Sequence, residues 1–227
     1  MNRLLCSCLQ YSRGIKCTAS APPGRGWSGH FLFGGERMIP GLTFDAATHT
    51  FRAGDGRLVP SVTQTLQAAG LNCRPPGVSD AQWEAAAELG TRVHQWCRYG
   101  PEPGEPIPEQ VAPYFAAWEA FAGAVTVTIE AHETIVSAAD YWYAGIVDIL
   151  AFVSGSPAVI DIKTSDPQPW HALQTAAYAR AAPRHNRKRY GLYLRDNGTY
   201  KFIEHTDRRD FDVFAAALTL NAWRQSV

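Results

Sequence analysis

The chain has 227 residues, 46% of them hydrophobic, and its 21 basic and 21 acidic side chains cancel. That is enough apolar material for one sizeable core, and no run reaches the ~18 uninterrupted apolar residues that mark a membrane span. Zero net charge also argues against a protein that coats nucleic acid through its overall charge, although it leaves room for a local basic groove.

Cys6, Cys8, Cys17, Cys73 and Cys97 form an odd, scattered set without a C-x-x-C pair. This disfavours a disulfide framework or zinc ribbon and suits a reducing compartment. Residues 1–37 carry Arg3, Arg13, Lys16, Arg25 and Arg37 against Glu36 alone, with Gly, Ser and Pro throughout. They read as a poorly ordered extension ahead of one domain over residues 38–227. A basic, acid-poor start is compatible with an organelle transit peptide. An over-extended start ahead of Met38 is the alternative, so the expected compartment is cytoplasmic, or mitochondrial if the extension is a transit signal.

In chain order, Gly41 to Phe51 alternates like a short hairpin, and Pro60 to Leu66 reads as a loop entering a helix capped by Ser61. Val78-Ser79-Asp80 opens a helix to about Arg98, with Trp83, Ala87, Gly90, His94 and Cys97 recurring at helical spacing on one face. That spacing points His94 inward, as either a core residue or a ligand. A second helix is expected from Glu109 to Ala122, packing through Val111, Tyr114, Phe115, Trp118 and Phe121. Strands follow near 125–129, 133–137, 141–153 and 158–164, then a helix from about Pro167–Trp170 to Ala182, where an early proline is tolerated. A hairpin turning at Asn197-Gly198 and a helix from Phe211 to Arg224 complete the α/β pattern.

Two of these strands carry acids among apolar neighbours, Asp148 in Gly145-Ile-Val-Asp148 and Asp161 in Asp161-Ile-Lys163-Thr164. An ionised carboxylate there is costly unless something cationic pairs with it. Ser154-Gly155 lies midway between the two acids, so a symmetric hairpin sets residue 148 opposite residue 161 on one face. Period-two alternation adds Lys163 to that face. Two hard carboxylates side by side suit Mg²⁺, which takes one or two carboxylates and leaves other positions to water and phosphate. The competing reading is a structural ion pair, which accounts for one acid and leaves the other alone.

Gln174 and Tyr178 lie one turn apart on the next helix and could line the same cleft, or form a half-exposed core stripe. Beyond them Arg180, Arg184, His185, Arg187, Lys188 and Arg189 crowd into ten residues. That cluster is either solvated surface or a contact for a phosphate backbone.

Taken in series, Gly90-Thr-Arg-Val-His94, Glu133, Gly145-x-x-Asp148, Asp161-x-Lys163 and Gln174-x-x-x-Tyr178 resemble the PD-(D/E)XK nucleases of the RecB and lambda-exonuclease type. The likeness extends to phage-type and mitochondrial-genome-maintenance exonucleases that carry the histidine helix. It implies a restriction-endonuclease-like core with a mixed central sheet flanked by helices, and a Mg²⁺-dependent deoxyribonuclease for which Mn²⁺ would substitute. Such an enzyme would serve DNA repair, recombination or phage DNA processing, on DNA with a free end.

By that resemblance Asp148, Asp161 and the Ile162 carbonyl bind the metal, and His94 completes or supports the site. Lys163 orients the attacking water, and Glu133, or Glu130 in its place, contributes a further acid. Gln174 and Tyr178 position DNA and the lysine, and Arg184, Arg187, Lys188 and Arg189 are candidate backbone contacts. Some RecB-type relatives carry an iron-sulfur staple after the Gln-Tyr helix. No cysteine follows Cys97, so no such cluster is expected. A catalytically inactive module that binds DNA or a protein is the alternative from another class.

Overall fold

The computed structural model describes residues 38–184 and 187–227 and the backbone of Ile15–Cys17. The expected disorder of residues 1–37 therefore lies outside the described residues, save for those three and their strand β1. His185 of the basic cluster also lies outside them.

A small antiparallel sheet comes first, built from β2 (Thr43–Asp45), β3 (Thr50–Arg52) and β4 (Leu58–Val59). Helix α1 (Val62–Ala68) starts at Ser61, whose hydroxyl accepts from Gln64 N–H while Gln64 reaches back to Ser61 N–H, a reciprocal cap. Ser79 and Gln82 repeat that box at the start of α2 (Asp80–Tyr99). Helix α3 (Ala112–Ala124) begins three residues later than the sequence suggests, with Pro113 in its first turn.

The main sheet contains β5 (Val127–Ala138), β6 (Tyr143–Val153), β7 (Ser156–Lys163), β8 (Lys188–Leu194) and β9 (Tyr200–Glu204), side by side in that order. β1 runs parallel along the outer edge of β5. β5 is one strand where the sequence suggests two, because a register shift between Ile129 and Ala131 absorbs Glu130 without ending the ladder. β5, β6 and β7 are antiparallel, and helix α4 (Pro169–Ala181) carries the chain over to β8, which lies parallel to β7. β9 returns antiparallel, and α5 (Asp210–Ser226) closes the chain.

Both faces of the sheet are covered, which is why β6 and β7 read as nearly continuous apolar runs. Val93 and Cys97 of α2 and Phe115, Trp118 and Phe121 of α3 pack on Ile149, Ile160, Ile162 and Leu192. On the opposite face Val62 and Leu66 of α1, Ala177 and Tyr178 of α4, and Phe214 of α5 pack on Val147, Leu150 and Val159. The small sheet seals a third cluster in which Ile39, Phe51 and Val59 meet Ile135 and Ala144. No helix among the described residues is long and apolar enough to cross a membrane.

Helix α2 corrects one expectation. Its core face is Leu89, Val93, Trp96 and Cys97, whereas residues 80–88 are exposed and Trp83 is 40% exposed. The helix outreaches the sheet it packs on, so the apolar spacing continues past the point where there is anything to cover. His94 lies at the margin of the buried face, with its side chain 26% exposed.

Candidate active site

The β6–β7 hairpin turns through Ser154 and Gly155, both at positive φ (48° and 79°), as a two-residue connection of right-handed strands requires. The turn fixes the register, and the last backbone pair is Ile149 with Ile160. Asp148 and Asp161 are one step beyond it, where the strands part. There Asp148 Oδ2 accepts the Ile162 N–H at 2.7 Å, so a carboxylate continues the ladder in place of a backbone carbonyl.

β6 also breaks its alternation here, because Val147 and Leu150 face α4 while Ile149 faces α2. Asp148 consequently meets α2. Its Oδ1 lies 3.5 Å from His94 Nδ1, and His94 Nε2 donates to the Ile162 carbonyl at 3.0 Å. With Nε2 donating to the carbonyl, Nδ1 is the ring nitrogen that faces Asp148.

Asp161 is 2% exposed. Burial lifts its carboxyl to about 6, Lys163 pulls it down, and the Asp148 charge pushes it up. Lys163 Nζ lies 2.7 Å from Asp161 Oδ2, so the buried carboxylate is paired with the ammonium. On its other side the ammonium lies over the Trp170 ring, 5.4 Å from its centre.

Gly145 is explained by contact. A Cβ there would stand 2.6 Å from Tyr178 Cε1 and 3.1 Å from Val62 Cγ2, so the missing side chain lets the tyrosine ring lie against β6. Gln174 Nε2 donates to the Tyr178 hydroxyl at 3.0 Å, and both residues are buried. The phenol is pushed well above its usual range, first by burial and then by Asp161 and Asp148. Gln174 and Tyr178 are therefore buried between α4 and the sheet, near the charges of the two acids, and not on the surface, where the expected direct DNA contact would lie. A Cβ on Gly90 would meet Thr164 Oγ1 at 3.7 Å, an ordinary van der Waals contact.

Glu133 departs from expectation. It lies across from Asp148, between the pairs His132–Ile149 and Thr134–Val147, but its backbone is left-handed (φ 43°) and its carboxylate pairs with Arg98. It does not join the two aspartates. Glu130 is held by Arg184 (3.2 Å) and Arg187 (2.9 Å).

The basic cluster is corrected as well. The Arg187 side chain is 2% exposed, bonded to Glu130 and the Ala158 carbonyl, and Arg189 is tied to Asp210, Ala172 O and Asp207 O. Both guanidiniums stitch elements together and are not free to grip a backbone. Arg184 and Lys188 remain exposed, the latter 3.4 Å from Glu204.

Sequence reasoning missed Trp170 and a buried polar chain behind it. His171 is fully buried, with Nδ1 accepting from Gln168 N–H at 3.1 Å and facing the Tyr193 hydroxyl at 3.2 Å. Burial, then the nearby Lys163, holds its imidazole down to about 3. Tyr193 reaches it by folding over Gly191, where a Cβ would meet the phenol at 2.6 Å. The pairing of Lys163 with Tyr193 in the parallel ladder is the signal that could have shown this, and it depends on a crossover register that spacing does not give.

Among the described residues no three His, Cys, Asp or Glu side chains form a group that could hold a metal by themselves. The site offers less than that: the Asp148 and Asp161 carboxylates, with the Ile162 carbonyl beside them. One or two carboxylates with water and phosphate suit Mg²⁺, so the residues present fit that ion. The chain is thus a mixed α/β protein with a mixed sheet, flanking helices and a site of two carboxylates and a lysine at the parting of two strands. No model of a known protein family matches the chain, and no curated protein matches it.

Proposed function

We propose that the chain is a metal-dependent deoxyribonuclease, an exonuclease of the PD-(D/E)XK kind that its motifs resemble. The observation that carries the reading is the placement of Asp148, Asp161 and Lys163 where β6 and β7 separate, with Asp161 buried against the Lys163 ammonium. The antiparallel β5–β6–β7 meander, the α4 crossover and parallel β8 agree with the restriction-endonuclease-like core that the resemblance implies.

Asp148, Asp161 and the Ile162 carbonyl would hold Mg²⁺, or Mn²⁺ in its place. The ion would supply charge stabilisation at the phosphate and a more acidic water. His94 holds the Ile162 carbonyl and Asp148 in place. Lys163, fixed by Asp161 and the Trp170 face, hydrogen-bonds the attacking water and keeps its lone pair toward phosphorus. Tyr178 and Gln174 keep bulk water from the acids' α4 side.

The requirement for a free end follows the resemblance alone. It is tested by a Mg²⁺ time course on end-labelled linear and closed circular DNA, single-stranded and duplex. Loss of the linear form with intact circles is expected, and rapid nicking of circles would overturn the exonuclease mode.

A further inference from the structure

Away from Asp148, Asp161 and Lys163, a cleft of about 810 Å³ opens between α4, the start of β8, the end of β9 and the loop into α5. Five cations line it, Arg180, Arg187, Lys188, Arg189 and Arg208, against Glu204 and Asp207, in a chain whose net charge is zero. The two carboxylates are already engaged, Glu204 by Lys188 and Tyr190 and Asp207 by Arg209.

The cations divide into three held by acids, Arg180 by Asp140, Arg187 by Glu130 and Arg189 by Asp210, and a more open rim. Arg187 is clamped from below by Glu130 and the Ala158 carbonyl, and its buried Nε has no acceptor. Arg189 is clamped by Asp210 at 2.8 Å. At the rim Arg208 is exposed and makes no ion pair or hydrogen bond among the described residues, and Lys188 is 3.4 Å from its partner. Ala176, Ala179 and Phe211 add an apolar wall. The volume is within the ~300–1,000 Å³ of small-ligand sites.

We propose that this cleft binds a phosphate carrying a nucleoside, with the phosphate on Arg208 and Lys188 at the rim and the base against the apolar wall that includes Phe211. It is a second site. Ala158 pairs with Lys188 and Lys163 with Tyr193 in the parallel β7–β8 ladder, so the start of β8 lies ~16 Å along the sheet from the lysine at ~3.3 Å per residue. The proposal does not depend on the nuclease reading, since binding is measured without hydrolysis.

The test is equilibrium titration of the full chain, without divalent cation, using adenosine monophosphate, adenosine, inorganic phosphate and a single-stranded oligonucleotide lacking terminal phosphates. Saturable binding of the monophosphate, competition by inorganic phosphate and none by adenosine are expected. The double variant Arg208→Ala, Lys188→Ala should weaken it at least ~10-fold, as loss of one charge-assisted bond does, with an unchanged unfolding midpoint, and Asp161→Asn should bind as the parent does. Competition by the oligonucleotide would mark the ligand as a unit within a strand, and its absence as a free mononucleotide. Failure of the monophosphate to bind, equal binding of adenosine, or sensitivity to Asp161→Asn in place of the rim variant would overturn the proposal.

Discussion

Asp161 has the least exposed carboxylate of the site, and burial holds its carboxyl near 6 against an ordinary value of 3.8. Between those values the folded chain keeps a proton that the unfolded chain has released. Stability therefore falls as pH rises through that window, and the full penalty is present above it. In metal-free buffer, Asp161→Asn should raise the urea midpoint at pH 8 and leave it little changed at pH 4. An unchanged midpoint at pH 8 would mean that Lys163 already offsets the burial. Gly145→Ala tests packing at the same site. A methyl 2.6 Å from Tyr178 should cost ~1–3 kcal/mol by chemical denaturation, and an unaltered stability would show that the tyrosine ring yields.

Elements place these residues, and here the sequence was informative in part. The β6–β7 register was legible because two-residue turn chemistry and alternation fix it locally. The pairing from Val153–Ser156 back to Ile149–Ile160 follows directly from Ser154-Gly155, whereas the turn of Asp148 toward α2, after the alternation breaks, does not. The caps at Ser61 and Ser79 were legible for the same local reason. The roles of Arg187 and Arg189 were not, because their partners Glu130 and Asp210 are remote in sequence or belong to another element.

Arg187→Ala should lower stability by ~3–5 kcal/mol, the usual cost of breaking a buried pair. Arg208→Ala should stay within ~0.5 kcal/mol of the parent. Equal, small effects on the two midpoints would contradict the structural role. On α2, His94→Gln should slow hydrolysis ~10–100-fold, as loss of an outer support to a metal site does, with the midpoint nearly unchanged. A lower midpoint with full activity per folded molecule would make His94 a core residue only.

At the scale of the whole molecule, the mixed sheet with helices on both faces could be read from strands alternating with amphipathic helices. The continuity of β5 and the bare half of α2 could not. Both depend on where the sheet ends, a tertiary fact that local pattern does not carry. The His171–Tyr193 pair and Trp170 escaped for the same reason, since they meet Lys163 only once α4 and β8 are docked. The account requires this assembly to bring two carboxylates and a lysine to one divalent cation and one phosphodiester. The most direct measurement is hydrolysis of end-labelled linear DNA by the purified chain with Mg²⁺ or with chelator, beside Asp161→Asn. The account predicts cleavage by the parent with Mg²⁺ alone and none by the variant. Cleavage that survives chelation, or an Asp161→Asn protein as active as its parent, would contradict it.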